Sequence, residues 1–128
     1  MSTQTRTVTV SWTGALLAGS YTVADTCMIG GSPVPDSYTS VATASVGNTY
    51  RVLFSNLSNS FTGNTYADIV GNHITIPNQA PNGTGSVDSV EGSGTITQVG
   101  SVVRWDITYN VYISGSLVGI CTAHFVSQ

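Results

Sequence analysis

Apolar and polar residues alternate along much of the chain, and the longest alternating run lies between Val102 and Ile113. Its apolar or aromatic positions are Val103, Trp105, Ile107, Tyr109, Val111 and Ile113. The positions between them carry Arg104, Asp106, Thr108 and Asn110. A repeat of two residues predicts a β-strand that buries one face and exposes the other.

Other segments of strand-like composition are separated by turn-forming residues. With Val102–Ile113, the predicted strands are Ser20–Cys27, Tyr38–Val46, Thr49–Asn56, Thr65–Val70, His73–Pro77, Val87–Gln98 and Leu117–Val126. The segment Met28–Ser37 is predicted to be a loop, because Gly30, Gly31 and two prolines interrupt strand pairing. The run Ala15–Ala18 is too short to predict a helix.

The N-terminal segment Thr5–Trp12 also alternates, but a stretch of small residues separates it from the strands that follow. We therefore divide the chain into an N-terminal strand or arm, residues 1–17, and a barrel domain, residues 18–128. A strand with one apolar face needs a partner. It is expected to pair within the domain, to be the tail of a preceding domain in a longer protein, or to pair with another molecule.

Together these segments predict an all-β protein of one domain with eight or nine strands. Closely spaced turn signals and hairpin-length loops favour an antiparallel up-and-down β-barrel of the lipocalin-like type, with a β-sandwich as the alternative. Gly92 and Gly94 are expected to bend a strand, as the corners of a barrel require. A phosphate-binding loop would need a following helix and a lysine, and the sequence contains no lysine.

The composition narrows the range of functions. Charged residues make up only 7% of the 128 residues, and the formal net charge is −3. A nucleic-acid partner is not expected, because binding phosphates requires clustered Lys and Arg. No apolar run is long enough for a transmembrane helix. A neutral surface rich in Thr and Ser favours an extracellular setting.

The chain has two cysteines, Cys27 in an early strand and Cys121 in the last one. The first and last strands of a closed barrel are neighbours, so a Cys27–Cys121 disulfide is the favoured interpretation. The alternative is two buried free cysteines, which behave as small apolar side chains. A disulfide would indicate an oxidising compartment.

Several motifs occur together in a fixed order: Ala18 to Cys27 (AGSYTVADTC), Val70 to Gln79 (VGNHITIPNQ), Gly92 to Ile96 (GSGTI) and the final Cys121 to Ala123 (CTA). From Ala18 to Gln128 this order resembles small lipocalin-like β-barrel domains, of unassigned function, in secreted or lipid-anchored proteins of the Bacteroidetes. The resemblance implies a periplasmic or cell-surface setting and a Cys27–Cys121 bridge. It supplies no catalytic residues.

Aromatic side chains are the best candidates for a binding site. The residues selected are Trp105, Tyr109, Tyr50 and Phe54, which are expected to face the barrel interior. They would line a small apolar pocket at the mouth of the barrel. The alternative is that they fill the core. The sequence offers no nucleophile with a base beside it, and no closely spaced metal ligands, so neither a catalytic site nor a metal or other cofactor is expected.

We therefore expect a non-enzymatic extracellular or cell-surface module that binds a small apolar ligand or a protein partner. The alternative is a structural subunit of a surface layer or filament, a homo-oligomer that pairs through Thr5–Trp12. The N-terminus lacks the apolar region of a signal peptide. We expect a secreted, periplasmic or cell-surface protein whose signal has been removed from this chain.

Overall fold

A computed structural model describes residues 12–58, 61, 65–80 and 88–128. These residues form one short helix and eight strands. The elements are α1 (Gly14–Leu17), β1 (Gly19–Ile29), β2 (Ser32–Ala44), β3 (Arg51–Phe54), β4 (Thr65–Val70), β5 (His73–Gln79), β6 (Ser89–Val99), β7 (Val102–Ile113) and β8 (Ser116–Ser127). In the described part of the chain, no helix has the length and apolar character needed to cross a membrane.

Each strand pairs with the next one in the sequence, and β8 pairs with β1 to close the sheet. All eight pairings are antiparallel. The prediction of an all-β, antiparallel up-and-down barrel is therefore confirmed, and the sandwich alternative is not adopted. Closure leaves neither β1 nor β8 as a free edge, which removes a site of unwanted strand pairing.

The predicted loop at Met28–Ser37 is wrong, because most of this segment is paired strand. Gly30 and Gly31 both have positive φ angles and make a tight turn between β1 and β2. Pro33 and Pro35 lie in the part of β2 that pairs with β1 only, since pairing with β3 begins at Ala42. A proline is tolerated where its missing N–H faces no partner strand.

One end of the barrel, the capped end, carries α1 and the turns at 45–50, 71–72 and 100–101. The expectation that Ala15–Ala18 contains no helix is wrong, because Gly14–Leu17 forms a helix of one turn. Thr13 caps this helix by accepting a hydrogen bond from the Leu16 N–H at 3.2 Å. Leu17 and Trp12 are buried against the barrel core. Apart from Trp12, the predicted Thr5–Trp12 strand lies outside the described residues, so its pairing stays a prediction.

The half of the barrel next to the capped end is filled by an aromatic core. Trp105 stacks on Phe125 with ring centroids 5.1 Å apart. The ring centroid of Tyr21 lies 4.5 Å from that of Trp105. Phe54 meets both Trp105 and Phe125 edge to face. All four side chains are at most 2% exposed. Aromatic pairs at these separations add attraction beyond the burial of their area.

Gly92 and Gly94 allow β6 to approach the backbone of β7 closely. A Cβ atom would lie 2.4 Å from the Thr108 carbonyl oxygen if built on Gly92, and 2.0 Å from the Asp106 carbonyl oxygen if built on Gly94. Both distances are far below van der Waals contact. Only glycine fits these two positions of the strand.

We expect Gly94→Ala to lower the free energy of unfolding by about 3 kcal/mol, because its methyl group would push β6 away from β7. Gly119→Ala is the matched control, since a Cβ there would meet its nearest atom, Ile29 Cγ1, at an ordinary 3.5 Å. The control should stay within about 1 kcal/mol of the wild type. Urea unfolding measures both variants, and equal losses would contradict the steric explanation.

Candidate functional site at the barrel mouth

The end opposite α1, here called the mouth end, carries the turns at 30–31 and 114–115 and the connection between β3 and β4. A pocket of about 200 Å³ opens there. Its lining is Cys27, Ile29, Ser58, Phe61, Val111, Ile113, Val118, Gly119 and Cys121. The rim residues Ile29, Ile113 and Val118 are 40–50% exposed. The pocket is therefore an apolar recess that is open to solvent.

A larger space of about 530 Å³ lies on the outer wall, over β5, β6 and β7. It is a shallow depression, and most of the residues that border it are polar in type, among them Thr75, Ser93, Thr108 and Asn110. A ligand there would stay largely in water, whereas binding sites usually enclose most of the ligand in an apolar recess. We therefore take the mouth pocket as the candidate site.

The alternation along β1 places Cys27 in the lining of the mouth pocket. Tyr21, Val23, Asp25 and Cys27 are buried, and the residues between them are exposed. Cys27 is directly opposite Cys121 in the pairing of β1 with β8, and the two are joined by a disulfide. The favoured pairing of the cysteines is thus confirmed. The disulfide forms part of the pocket lining.

Behind the disulfide lies a polar group that we call the aspartate–tyrosine cluster: Asp25, Tyr38 and Tyr109. The Asp25 side chain is only 2% exposed. Its Oδ2 atom accepts a hydrogen bond from the Tyr38 hydroxyl at 2.7 Å and another, short one from the Tyr109 hydroxyl. A buried carboxyl group needs such partners, because burial removes its hydration.

Ser58 connects this cluster to the pocket. Its backbone N–H donates to the Tyr38 hydroxyl oxygen at 2.8 Å, and its own hydroxyl oxygen lies 3.7 Å from Cys27 Sγ. Ser58 has a φ of 60°, in the left-handed region that non-glycine residues rarely occupy. Such a conformation costs on the order of 1 kcal/mol, and residues that adopt it are concentrated at functional sites.

Burial raises the pKa of Asp25 above its ordinary value, and the hydrogen bonds from Tyr109 and Tyr38 offset part of this rise. A nearby Asp36 adds to the rise, and His124 opposes it. Burial also raises the pKa of both Tyr38 and Tyr109, and the Asp25 charge raises each further. The two tyrosines therefore keep their protons and act as donors to Asp25.

The sulfur atoms lie close to the carboxyl group. Cys27 Sγ is 3.9 Å from Asp25 Oδ1. Within the described residues, Asp25, Cys27 and Cys121 form the one group whose potential metal-binding atoms come together, all within 4.8 Å of one another. Because the sulfurs are bonded to each other, they are not available as the thiolates that bind metal ions.

The four aromatic residues selected from the sequence do not line the pocket. Trp105 and Phe54 belong to the aromatic core, and Tyr109 belongs to the aspartate–tyrosine cluster. Tyr50 is 54% exposed, because it precedes β3, which begins at Arg51, and so lies in a turn. The structure thus brings three of the four into the barrel interior and leaves Tyr50 outside.

Sequence reasoning did not select Asp25 or Ser58. A signal for Asp25 was present, since it shares the alternation phase of Tyr21, Val23 and Cys27. An acidic residue on the apolar face of a predicted strand indicates a buried, partnered carboxyl group. Ser58 lies in an irregular connection, where no sequence periodicity exists to place it.

Comparison of the chain with protein-family models, with curated proteins and with solved structures finds no match. The resemblance to lipocalin-like domains of the Bacteroidetes therefore stays a prediction, and the candidate site has to be interpreted from its own geometry.

We expect Asp25→Asn to change how stability depends on pH. The pKa of Asp25 is raised in the folded protein above the ordinary 3.8, so the folded state holds the proton more tightly than the unfolded chain. The stabilisation from this group is complete below pH 3.8 and is lost as the pH rises through the raised pKa. The wild type should thus lose stability relative to the variant from about pH 4 towards neutrality. Urea unfolding of both proteins over this range measures the difference, and an increase with pH would contradict the assignment.

Proposed function

We propose that this chain is a non-enzymatic β-barrel module that binds a small apolar ligand in its mouth pocket. The observation that carries the proposal is the pocket itself: an apolar recess of about 200 Å³ at one end of a barrel whose other half is filled. Ile29, Ile113 and Val118 keep apolar surface exposed at the rim. Binding of a ligand that covers this apolar surface would be favourable, because the surface is then removed from water.

The lining indicates the kind of ligand. No charged side chain of the described residues lines the pocket, and the Ser58 hydroxyl is its one polar side-chain group. A neutral molecule with an aliphatic end matches this lining, and the Ser58 hydroxyl group offers it a hydrogen bond. The volume is below the roughly 300–1,000 Å³ of pockets for drug-sized ligands. The ligand, or the part of it that enters, is therefore short.

A short ligand also limits the affinity. Burial of each methylene group contributes about 0.8 kcal/mol, so a six-carbon chain gains roughly 5 kcal/mol before the cost of association. Because the cost of association takes up much of this gain, the dissociation constant expected for such a fragment is about 1 mM or weaker. Tighter binding would require the rest of a larger ligand to contact the exposed rim.

The proposed setting is extracellular, periplasmic or on the cell surface. The disulfide supports an oxidising compartment, because cytosolic thiols are kept reduced. The low charge and the resemblance to exported lipocalin-like domains support the same setting.

The test is a titration of the protein with 1-hexanol, in which the chemical shifts of the backbone amides of the protein are measured. We expect saturable shifts in residues of the mouth pocket, with the largest near Val111 and Gly119. Val118→Phe should reduce the affinity at least about tenfold by filling the pocket, which corresponds to about 1.4 kcal/mol.

The matched control is Val99→Phe, a substitution at an exposed valine next to a turn of the capped end. It should bind hexanol as the wild type does. Shifts spread evenly over the surface, or equal affinities for the two variants, would reject the mouth pocket as a binding site.

A further inference from the structure

The disulfide is placed where a small molecule can reach it. Cys27 is 9% exposed and Cys121 is fully buried, and both line the mouth pocket. A disulfide that only tied β1 to β8 could lie at any inward-facing pair along the nine residue pairs of that seam. Here it occupies the floor of a recess wide enough for a short thiol.

The Asp25 carboxyl group is oriented so that one oxygen faces the sulfurs. The hydroxyl groups of Tyr38 and Tyr109 both donate to Oδ2. Oδ1 is left towards Cys27 Sγ, 3.9 Å away, and a carboxyl oxygen is also within 4.8 Å of Cys121 Sγ. A proton on Oδ1 would therefore lie on the side of the carboxyl group that faces the disulfide, 3.9 Å from Cys27 Sγ, and the carboxyl group lies within 4.8 Å of Cys121 Sγ.

We propose that Cys27–Cys121 is a redox-active disulfide that exchanges with low-molecular-weight thiols entering the mouth pocket, and that Asp25 transfers the proton this exchange requires. A thiolate of a dithiol attacks Cys27 Sγ, and a mixed disulfide forms as the Cys27–Cys121 bond breaks. The electron pair of that bond stays on Cys121 Sγ, which takes the proton of the Asp25 carboxyl group.

The second half of the reaction completes the transfer of two electrons. The remaining thiol of the reductant loses its proton to solvent and attacks its own sulfur in the mixed disulfide. A cyclic disulfide departs, and Cys27 is released as a thiolate that solvent protonates. Asp25 regains its proton from solvent, so the protein ends as a dithiol with Asp25 unchanged.

Burial explains why a proton donor is needed. Cys121 leaves as a thiolate in a fully buried position, where desolvation disfavours its charge. Asp25 is suited to supply the proton, because burial raises its pKa. Tyr38 from β2 and Tyr109 from β7 donate hydrogen bonds to it, and Asp36, its cross-strand partner in β2, and His124 from β8 act on it through their charges.

The test measures how fast dithiothreitol reduces the folded, oxidised protein, with thiols detected by alkylation and mass spectrometry. The rate should rise in proportion to the dithiothreitol concentration. Asp25→Asn should lower the rate constant on the order of tenfold or more. When the rate is divided by the concentration of dithiothreitol thiolate, the wild-type value should fall as the pH rises through the Asp25 pKa. The value for the variant should show no such fall.

Access is tested with the two valine variants. Val118→Phe should slow reduction severalfold, and Val99→Phe should leave the rate unchanged. A rate that does not depend on dithiothreitol concentration, and that rises with urea as global unfolding does, would overturn the proposal. So would equal rates for the wild type and Asp25→Asn.

This inference shares the mouth pocket with the proposed function but can fail separately. Hexanol binding is measured without any thiol, and Asp25→Asn should leave it unchanged because Asp25 does not line the pocket. Slow reduction that is limited by unfolding, together with normal hexanol binding, would reject the redox proposal alone. Fast reduction that depends on Asp25, without hexanol binding, would reject the ligand-binding proposal alone.

Discussion

Replacing Cys27 and Cys121 together by alanine is expected to lower the free energy of unfolding by about 4–5 kcal/mol. The two residues are 94 positions apart in the sequence, so the disulfide closes most of the chain into a loop. It restricts the unfolded chain far more than the folded barrel, in which β1 and β8 are already paired. The melting temperature should fall by roughly 15 °C for a chain of this size.

Reduction of the wild type provides the control for this experiment. The reduced wild type and the double alanine variant should agree to within about 1 kcal/mol, because the substitutions themselves remove little volume. Urea unfolding monitored by tryptophan fluorescence measures all three proteins. A double variant as stable as the oxidised wild type would show that the disulfide contributes no net stability to the barrel.

Replacing Trp105 by alanine is expected to cost about 3–5 kcal/mol of folding free energy. The side chain is fully buried and contacts three other aromatic rings, those of Tyr21, Phe54 and Phe125. Its removal leaves a cavity inside a closed sheet, which has little freedom to collapse around it. The variant should lose much of its near-ultraviolet circular dichroism as the aromatic core loosens.

Tyr50→Ala is the matched control, because it also removes an aromatic ring but from an exposed turn. Its effect should stay within about 0.5 kcal/mol. Urea unfolding, followed by far-ultraviolet circular dichroism so that the loss of tryptophan does not matter, compares the two. A loss below about 1 kcal/mol for Trp105→Ala would contradict tight packing of the aromatic core.

The fold could be predicted because its strands are long and half-buried. Val102–Ile113 was predicted with the bounds that the structure gives to β7, since its alternation continues over the whole strand. Closure of the barrel then placed Cys27 near Cys121. The prediction failed at the start of β2, where two prolines indicated a loop. This part of β2 pairs with β1 only, so the missing N–H groups of the prolines do not prevent it from forming a strand.

The candidate site could be predicted only in part. Alternation placed Trp105, Phe54 and Tyr109 inside correctly, but it does not say whether inward side chains fill the barrel or line a recess. That depends on how rings from four strands meet in space. Ser58 was beyond prediction because its position depends on a left-handed backbone angle in an irregular connection.

The order of the strands also constrains how the protein reaches its native state. Seven of the eight pairings join strands that are consecutive in the sequence, and each can form early from a short chain segment. The seam between β1 and β8 joins Tyr21 to Ser127 and has to wait for almost the entire chain. Pairings of such high sequence separation form slowly. Until the seam forms, β1 and β8 present two open edges to other molecules, and this interval is the period of greatest risk of aggregation.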